Sequence, residues 1–190
     1  MRLISIITLT LLISLTGFAK KKGAPPMTAG APGDRTCFTS KCHAGNDLNS
    51  DKATIFIEGL PEVYTANEVY DITLRLEQPK AKKFGFQATV ADANGHAVGT
   101  LVSVEGQNTQ LLSDERSKSR TDRRYITHTK TGITGPKKGV SPTWQLQWKA
   151  PADSATTPSF YFTFNAANGN TKKTGDFIYS RSVEVKSALD

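Results

Sequence analysis

The chain reads as all-β: an antiparallel β-sandwich of about eight strands, immunoglobulin-like in kind, behind a loop-like leader. Three observations carry this reading. From residue 52 onward, short runs rich in β-branched and aromatic residues recur between clusters of Pro, Gly, Asn and Asp. Several runs alternate apolar and polar positions with the period of two of a half-buried strand. No stretch carries a 3.6-residue apolar stripe long enough for a helix. A length of 190 residues suffices for one domain with its own core, plus short extensions.

The first run, "ATIFIEG" (53–59), is closed by Pro61. "EVYDITLRLEQ" (68–78) sets Tyr70, Ile72, Leu74 and Leu76 on one face and Val69, Asp71, Thr73 and Arg75 on the other. "FGFQATVAD" (84–92) follows, and "ANGHAVGTLVSV" (93–104) begins with an Asn-Gly turn that leads into a further strand. "RYITHT" (124–129), "TWQLQWKA" (143–150), "SFYFTFNAA" (159–167) and "DFIYSRSVEV" (176–185) complete the set. Pro151 ends the sixth of these runs or lies just past it, as expected of a residue with no ladder donor.

The amino-terminal end has a different texture. Met1-Arg2 precedes the apolar run "LISIITLTLLISLTGFA", which closes on the small residues Gly17 and Ala19. A positive start, an apolar middle and small residues at the −3 and −1 positions are the layout of a secretory signal peptide. Cleavage is expected after Ala19, although the lysines at 20–22 oppose export and an uncleaved anchor is the other reading. No second apolar stretch follows, so no transmembrane segment is expected after cleavage. The organisation is then a signal peptide over 1–19, a leader over 20–50 and a sandwich over 51–188, in an exported protein that is periplasmic, surface-located or secreted.

The formal net charge is +7, and falls to +6 if Arg2 leaves with the signal. Much of it lies in "DERSKSRTDRR" (114–124) and "GPKKG" (135–139). No aromatic residues interleave these charges to stack on bases, so nucleic acid is excluded and solvated loops are expected.

The leader holds both cysteines, in "DRTCFTSKCHAG" (34–45). Cys37 and Cys42 are followed directly by His43, a C-x4-C-H pattern. The usual haem attachment signature is C-x-x-C-H: two thiols add to the vinyl groups and the adjacent imidazole ligates iron. Two extra residues between the thiols can bulge, and the Cys-His pair that sets the proximal ligand is intact. A Cys37–Cys42 disulfide is the structural alternative in an oxidising compartment, but it leaves His43 unexplained. A zinc site on Cys37, Cys42 and His43 would need a fourth ligand from His96 or His128.

Other candidates are weaker. Asp47, Asn49, Asp51 and Glu58 fall at positions 1, 3, 5 and 12 of an EF-hand loop, but Lys52 stands where Gly is needed, so a chance match is expected. His96 follows the Asn-Gly turn and is expected to be exposed and inert. His128 shares a face with Ile126 and points toward packed surface, which makes it the candidate distal ligand; Met27 is a softer candidate, and an open distal position is the alternative. No G-x-S-x-G, H-E-x-x-H or Gly-rich phosphate loop is present, so no enzyme is expected.

Taken together, "VYTANEVYDITLRLE", "KFGFQATVAD", "RRYITHT", "WQLQWKAP", "FYFTFNAANGN" and "GDFIYS" resemble the reeler (reelin amino-terminal) domain family. The likeness spans about residues 31 to 185 and is strongest to the bacterial secreted choice-of-anchor V branch. There, a leader similar to "AGAPGDRTCFTSKCHAGNDLNS" precedes the sandwich, and its Cys-x-x-Cys-His group looks like a c-type haem attachment site. The resemblance implies Cys37 and Cys42 as thioether positions and His43 as proximal ligand; the x4 spacing is a departure. Reeler domains also occur in adhesive matrix proteins, insect defence proteins and ferric reductases. The expectation is an exported monohaem c-type protein, carrying one covalent haem c and transferring electrons to an acidic redox partner protein. The alternative is a secreted, non-catalytic binding or adhesion module with a Cys37–Cys42 disulfide.

Overall fold

Alternating apolar residues produce strands here because each strand can bury one face while its backbone groups pair laterally. In a computed structural model, which describes residues 23–39, 42–43, 45–50, 53–112 and 122–188, nine strands form. They are β1 (Thr54–Glu58), β2 (Val69–Glu77), β3 (Lys83–Ala91), β4 (Thr100–Ser103), β5 (Thr109–Leu111), β6 (Ile126–His128), β7 (Trp144–Lys149), β8 (Ser159–Ala167) and β9 (Phe177–Glu184). Eight match the expected runs. The addition, β5, is only three residues long, too short to show a period.

Two antiparallel sheets face each other, one of four strands in the order β1-β2-β7-β4 and one of five in the order β5-β6-β3-β8-β9. The sandwich expectation is met. The apolar face of β2, with Ile72, Leu74 and Leu76, is fully buried, as are Trp144, Leu146 and Trp148 of β7. Opposite them stand Phe84, Phe86, Ala88 and Val90 of β3 and Phe160, Phe162 and Phe164 of β8. Each buried indole satisfies its one donor: Trp144 Nε1 donates to Gly132 O at 2.7 Å and Trp148 Nε1 to Val98 O at 3.0 Å.

The outer face of the five-stranded sheet is also covered. Gln87, Thr89 and Thr163 point away from the sandwich core yet are at most 1% exposed: the leader meets Gln87 through Thr28 and Thr163 through Gly30, and Thr89 Oγ1 donates to Arg124 O at 2.8 Å. Gln87 shows how a polar residue is accommodated there. Its Oε1 accepts from Thr28 N–H at 2.7 Å and from the Thr28 hydroxyl at 2.9 Å, and its Nε2 donates to Pro25 O at 2.8 Å. The leader bends in a turn at Ala31-Pro32-Gly33-Asp34, closed by Asp34 N–H to Ala31 O at 2.8 Å. Pro presets the second position of such a turn, and Gly33, at φ 80°, takes the left-handed third. The turn brings the Asp34 carboxylate onto Arg123 Nη2 at 2.8 Å and Tyr125 Oη at 2.7 Å, all three buried from solvent or nearly so.

The signal-like segment 1–19, Lys20 to Lys22, Asp51 and most of the basic run 114–124 lie outside the described residues. Among the described residues, no helix is long and apolar enough to cross a membrane.

Candidate functional site

Between the leader and the outer face of the five-stranded sheet lies a cavity of about 400 Å³. Cys37, Cys42, His43 and His128 all line it. The apolar part of its wall comes from Ala24, Pro25, Phe84, Phe86, Ile133 and Ala167, and lysines 83, 172 and 173 stand at its border. Its size falls within the range of small-molecule and cofactor sites.

Local chemistry explains how the leader presents the motif. After the turn at 31–34, Thr36 N–H donates to Thr39 Oγ1 at 2.8 Å and Thr39 N–H donates back to Thr36 Oγ1 at 3.1 Å. This reciprocal pair curls the chain around Cys37, whose side chain is buried while Cys42 is exposed. Burial pushes the Cys37 thiol up to about 12.

His43 is oriented by a residue far along the chain. Its Nδ1 lies 2.7 Å from Asp176 Oδ2, and Asn165 Nδ2 lies 3.2 Å from its Nε2. A carboxylate accepts and an amide nitrogen donates, so the proton belongs on Nδ1 and the lone pair on Nε2. Asp176 is itself held: it is 3% exposed, and its Oδ1 accepts Asn168 N–H at 3.0 Å. Asn46 Nδ2 donates to the Asp176 carbonyl at 3.1 Å and ties the chain after His43 to the same place. A histidine whose second nitrogen is fixed by a carboxylate is the usual arrangement for a metal-binding imidazole.

His128 enters from the opposite side. Strand β6 ends at this residue, and Phe86 N–H of β3 donates to its Nδ1 at 3.1 Å in place of a ladder bond. The ring lies against Gly85, where a Cβ would come within 2.6 Å of Cε1. Only glycine permits that approach. Burial lowers the His128 pKa to about 4, so the ring is neutral at physiological pH.

The sheet register sets these groups in a row. Gly85 pairs with Asn165 and Gln87 with Thr163, so the His128 ring, Gly85, Asn165 and His43 follow one another across β6, β3 and β8. Two polar atoms here, Thr163 Oγ1 and Asn165 Oδ1, are buried with no hydrogen-bond partner among the described residues. Native proteins seldom leave such groups unspent; an ordered water, an ion or a ligand ordinarily meets them.

The remaining candidates lie elsewhere. Met27 does not line the cavity; it sits at φ 64° and its carbonyl accepts Arg35 N–H. His96 is exposed beside Asp92, with 3.3 Å between His96 Nδ1 and Asp92 Oδ2. Asn49 Oδ1 accepts from Ser180 N–H at the edge of the five-stranded sheet, whereas Glu58 lies on β1 of the other sheet. Among the described residues, no three His, Cys, Asp or Glu side chains form a group that could hold a metal ion, and a zinc ion needs four such ligands. A haem iron asks the protein for one or two. Two thiols, a carboxylate-oriented imidazole and an apolar wall are the donors and surroundings that such a group would use.

Asp176, Asn165, Thr163 and Gly85 were not anticipated. The Asn- and Gly-rich stretch "NAANGNTKKTGD" (165–176) is longer than a tight β-hairpin requires, and that excess was the available signal.

No family model and no curated protein matches the sequence. Among solved structures, the reelin-N domain of F-spondin is similar at a TM-score of 0.50 and 15% identity, over 80% of this chain and 97% of that one. The human F-spondin reeler domain gives 0.48 and 15%, over 76% and 96%. At that identity the likeness is one of fold: the chain is a reeler-like β-sandwich.

Proposed function

We propose that this protein is an exported, non-catalytic β-sandwich whose cavity holds one covalent haem c, and that it carries electrons. The observation behind this reading is convergence. Two thiols, the imidazole after the second, and a carboxylate 133 residues from that imidazole meet at one apolar cavity.

Cys37 and Cys42 would hold the group by thioether bonds: each sulfur bonds one carbon of a vinyl group, its hydrogen goes to the other, and nothing leaves. When bound, the haem supplies a one-electron couple. Asp176 would keep the proton of His43 on Nδ1, so that Nε2, which accepts from Asn165 Nδ2 here, could serve as proximal ligand once that contact is given up. The leader, pinned by Gln87 and by Arg123 with Tyr125, excludes water from one side of the cavity. Lys83, Lys172 and Lys173 at its border suit an acidic redox partner, and that association should weaken with salt.

The test is an absorption spectrum of the protein exported by a host with cytochrome c maturation, repeated after denaturation and acid–acetone extraction. A Soret band that stays with the polypeptide supports the reading. A colourless protein without reactive thiols would instead support a second reading, a secreted binding or adhesion module clipped by a Cys37–Cys42 disulfide. The likeness of the sandwich to a reeler domain favours that second reading, since it calls for no cofactor.

A further inference from the structure

We infer that His128 is a hydrogen-bond donor over a binding place for a small exogenous ligand, a diatomic molecule or a small anion, rather than a second iron ligand. The inference rests on the haem reading above and assigns the far side of that same cavity.

The argument begins with a backbone amide, which can only donate. Phe86 N–H meets His128 Nδ1 at 3.1 Å, so Nδ1 is the acceptor. Two acceptors, Phe86 O and Thr127 Oγ1, stand further off at 3.3 Å. An imidazole whose Nδ1 lone pair accepts carries its proton on Nε2. An Nε2–H group has no lone pair to give a metal, but it is a competent donor.

The ring is fixed in this role. Among the described residues its polar contacts are all at Nδ1, and Gly85 lies against Cε1, Nδ1 and Nε2 together. Yet His128 lines the cavity, with Thr163 Oγ1 buried and unspent on the neighbouring strand pair. A mostly apolar cavity with one unspent N–H and one unspent hydroxyl is built for a small molecule that offers an acceptor atom. His43 would then be the single protein ligand of the group, and His128 would hold the small molecule beside it.

The experiment uses the haem-loaded protein and azide as the probe. The ferric wild type is expected to be high-spin by absorption and electron paramagnetic resonance, and to bind azide. His128→Ala should leave the spin state unchanged and weaken azide binding by roughly tenfold or more, the loss expected for one hydrogen bond to a charged acceptor. His128→Gln, which keeps an N–H donor, should recover part of that affinity. A low-spin wild type that turns high-spin and gains azide affinity in His128→Ala would overturn the inference and leave the haem reading standing. If neither variant folds, the 15N shifts of His128 in the diamagnetic ferrous carbonyl protein decide: a proton on Nε2 supports the inference and a proton on Nδ1 overturns it. A colourless protein would overturn the haem reading, and this inference with it.

Discussion

His43 Nδ1 and Asp176 Oδ2 lie 2.7 Å apart, joining the leader to the residue just before the last strand. This contact makes the Cys-His pair more than a local sequence pattern, because it fixes which imidazole nitrogen faces the cavity. In a haem-loaded protein, a carboxylate on the far nitrogen of the imidazole would strengthen it as a ligand and favour the ferric state. Asp176→Asn should therefore raise the reduction potential of the loaded protein. A rise of about 60 mV would correspond to a tenfold change in relative affinity for the two oxidation states, at the lower end of what outer-shell partners contribute. Potentiometric titration followed in the Soret region reads it, and an unchanged potential would remove His43 as the ligand that Asp176 orients.

The buried His128 makes stability depend on pH in a defined direction. Its pKa is lowered from 6.5 to about 4, so between those values the unfolded chain binds a proton that the native state does not. Stability from this residue is complete above pH 6.5 and is lost as pH falls toward 4, by up to about 3 kcal/mol. Urea unfolding at pH 7 and pH 5 measures the slope. His128→Gln should flatten it, and a slope identical to wild type would assign the acid sensitivity to other groups.

Much of the fold was legible because a period of two is a direct record of burial. Ile72, Leu74 and Leu76 alternate in sequence and are buried together. β5 was missed because three residues contain no period. The cavity was legible only in part. Cys37, Cys42 and His43 announce themselves by spacing, and His128 by its place beside Ile126. Asp176, Asn165 and Gly85 could not be found in this way: their role comes from the β3–β8 register and from a hairpin that returns to the leader. Gln87 carries the same lesson: no local pattern marks it as buried, and it is covered by Thr28 of the leader.

Gly85 is the position where one methyl group should disturb the site most directly. A Cβ there would meet His128 Cε1 at 2.6 Å and Nδ1 at 2.9 Å, and neither the ring nor the strand can give freely. Gly85→Ala should displace the ring and break the Phe86 N–H contact, at a cost of about 1–3 kcal/mol. The amide shift of Phe86 and the unfolding midpoint check it. An unperturbed Phe86 amide would show that the ring is not packed on Gly85.

The leader is held by a buried ion pair. Asp34 and Arg123 have side chains at 0% and 2% exposure, and Tyr125 shares the same carboxylate oxygen. Removing one partner strands the other, so Asp34→Ala should destabilise the protein by about 3–5 kcal/mol. The loss should fall first on the leader, with limited proteolysis cutting within 23–50 before the sandwich. Simultaneous loss of leader and sandwich would mean that the two fold as one cooperative unit.

The two thiols should differ sharply when the chain is prepared without haem and kept reduced. Cys42 is exposed, whereas Cys37 is buried and its thiol is pushed up to about 12. Since the thiolate is the reactive form, roughly one Cys37 in ten thousand would be ionised at pH 8. Iodoacetamide should therefore label Cys42 in the native protein and Cys37 only after unfolding, with peptide mass spectrometry locating each label. The loaded protein should accept no label in either state, because both sulfurs are then thioethers. Labelling of both cysteines in the unfolded, maturation-exposed protein would show that neither sulfur had been used. Recovery of labelling only after reduction would show instead that the pair had closed as a disulfide.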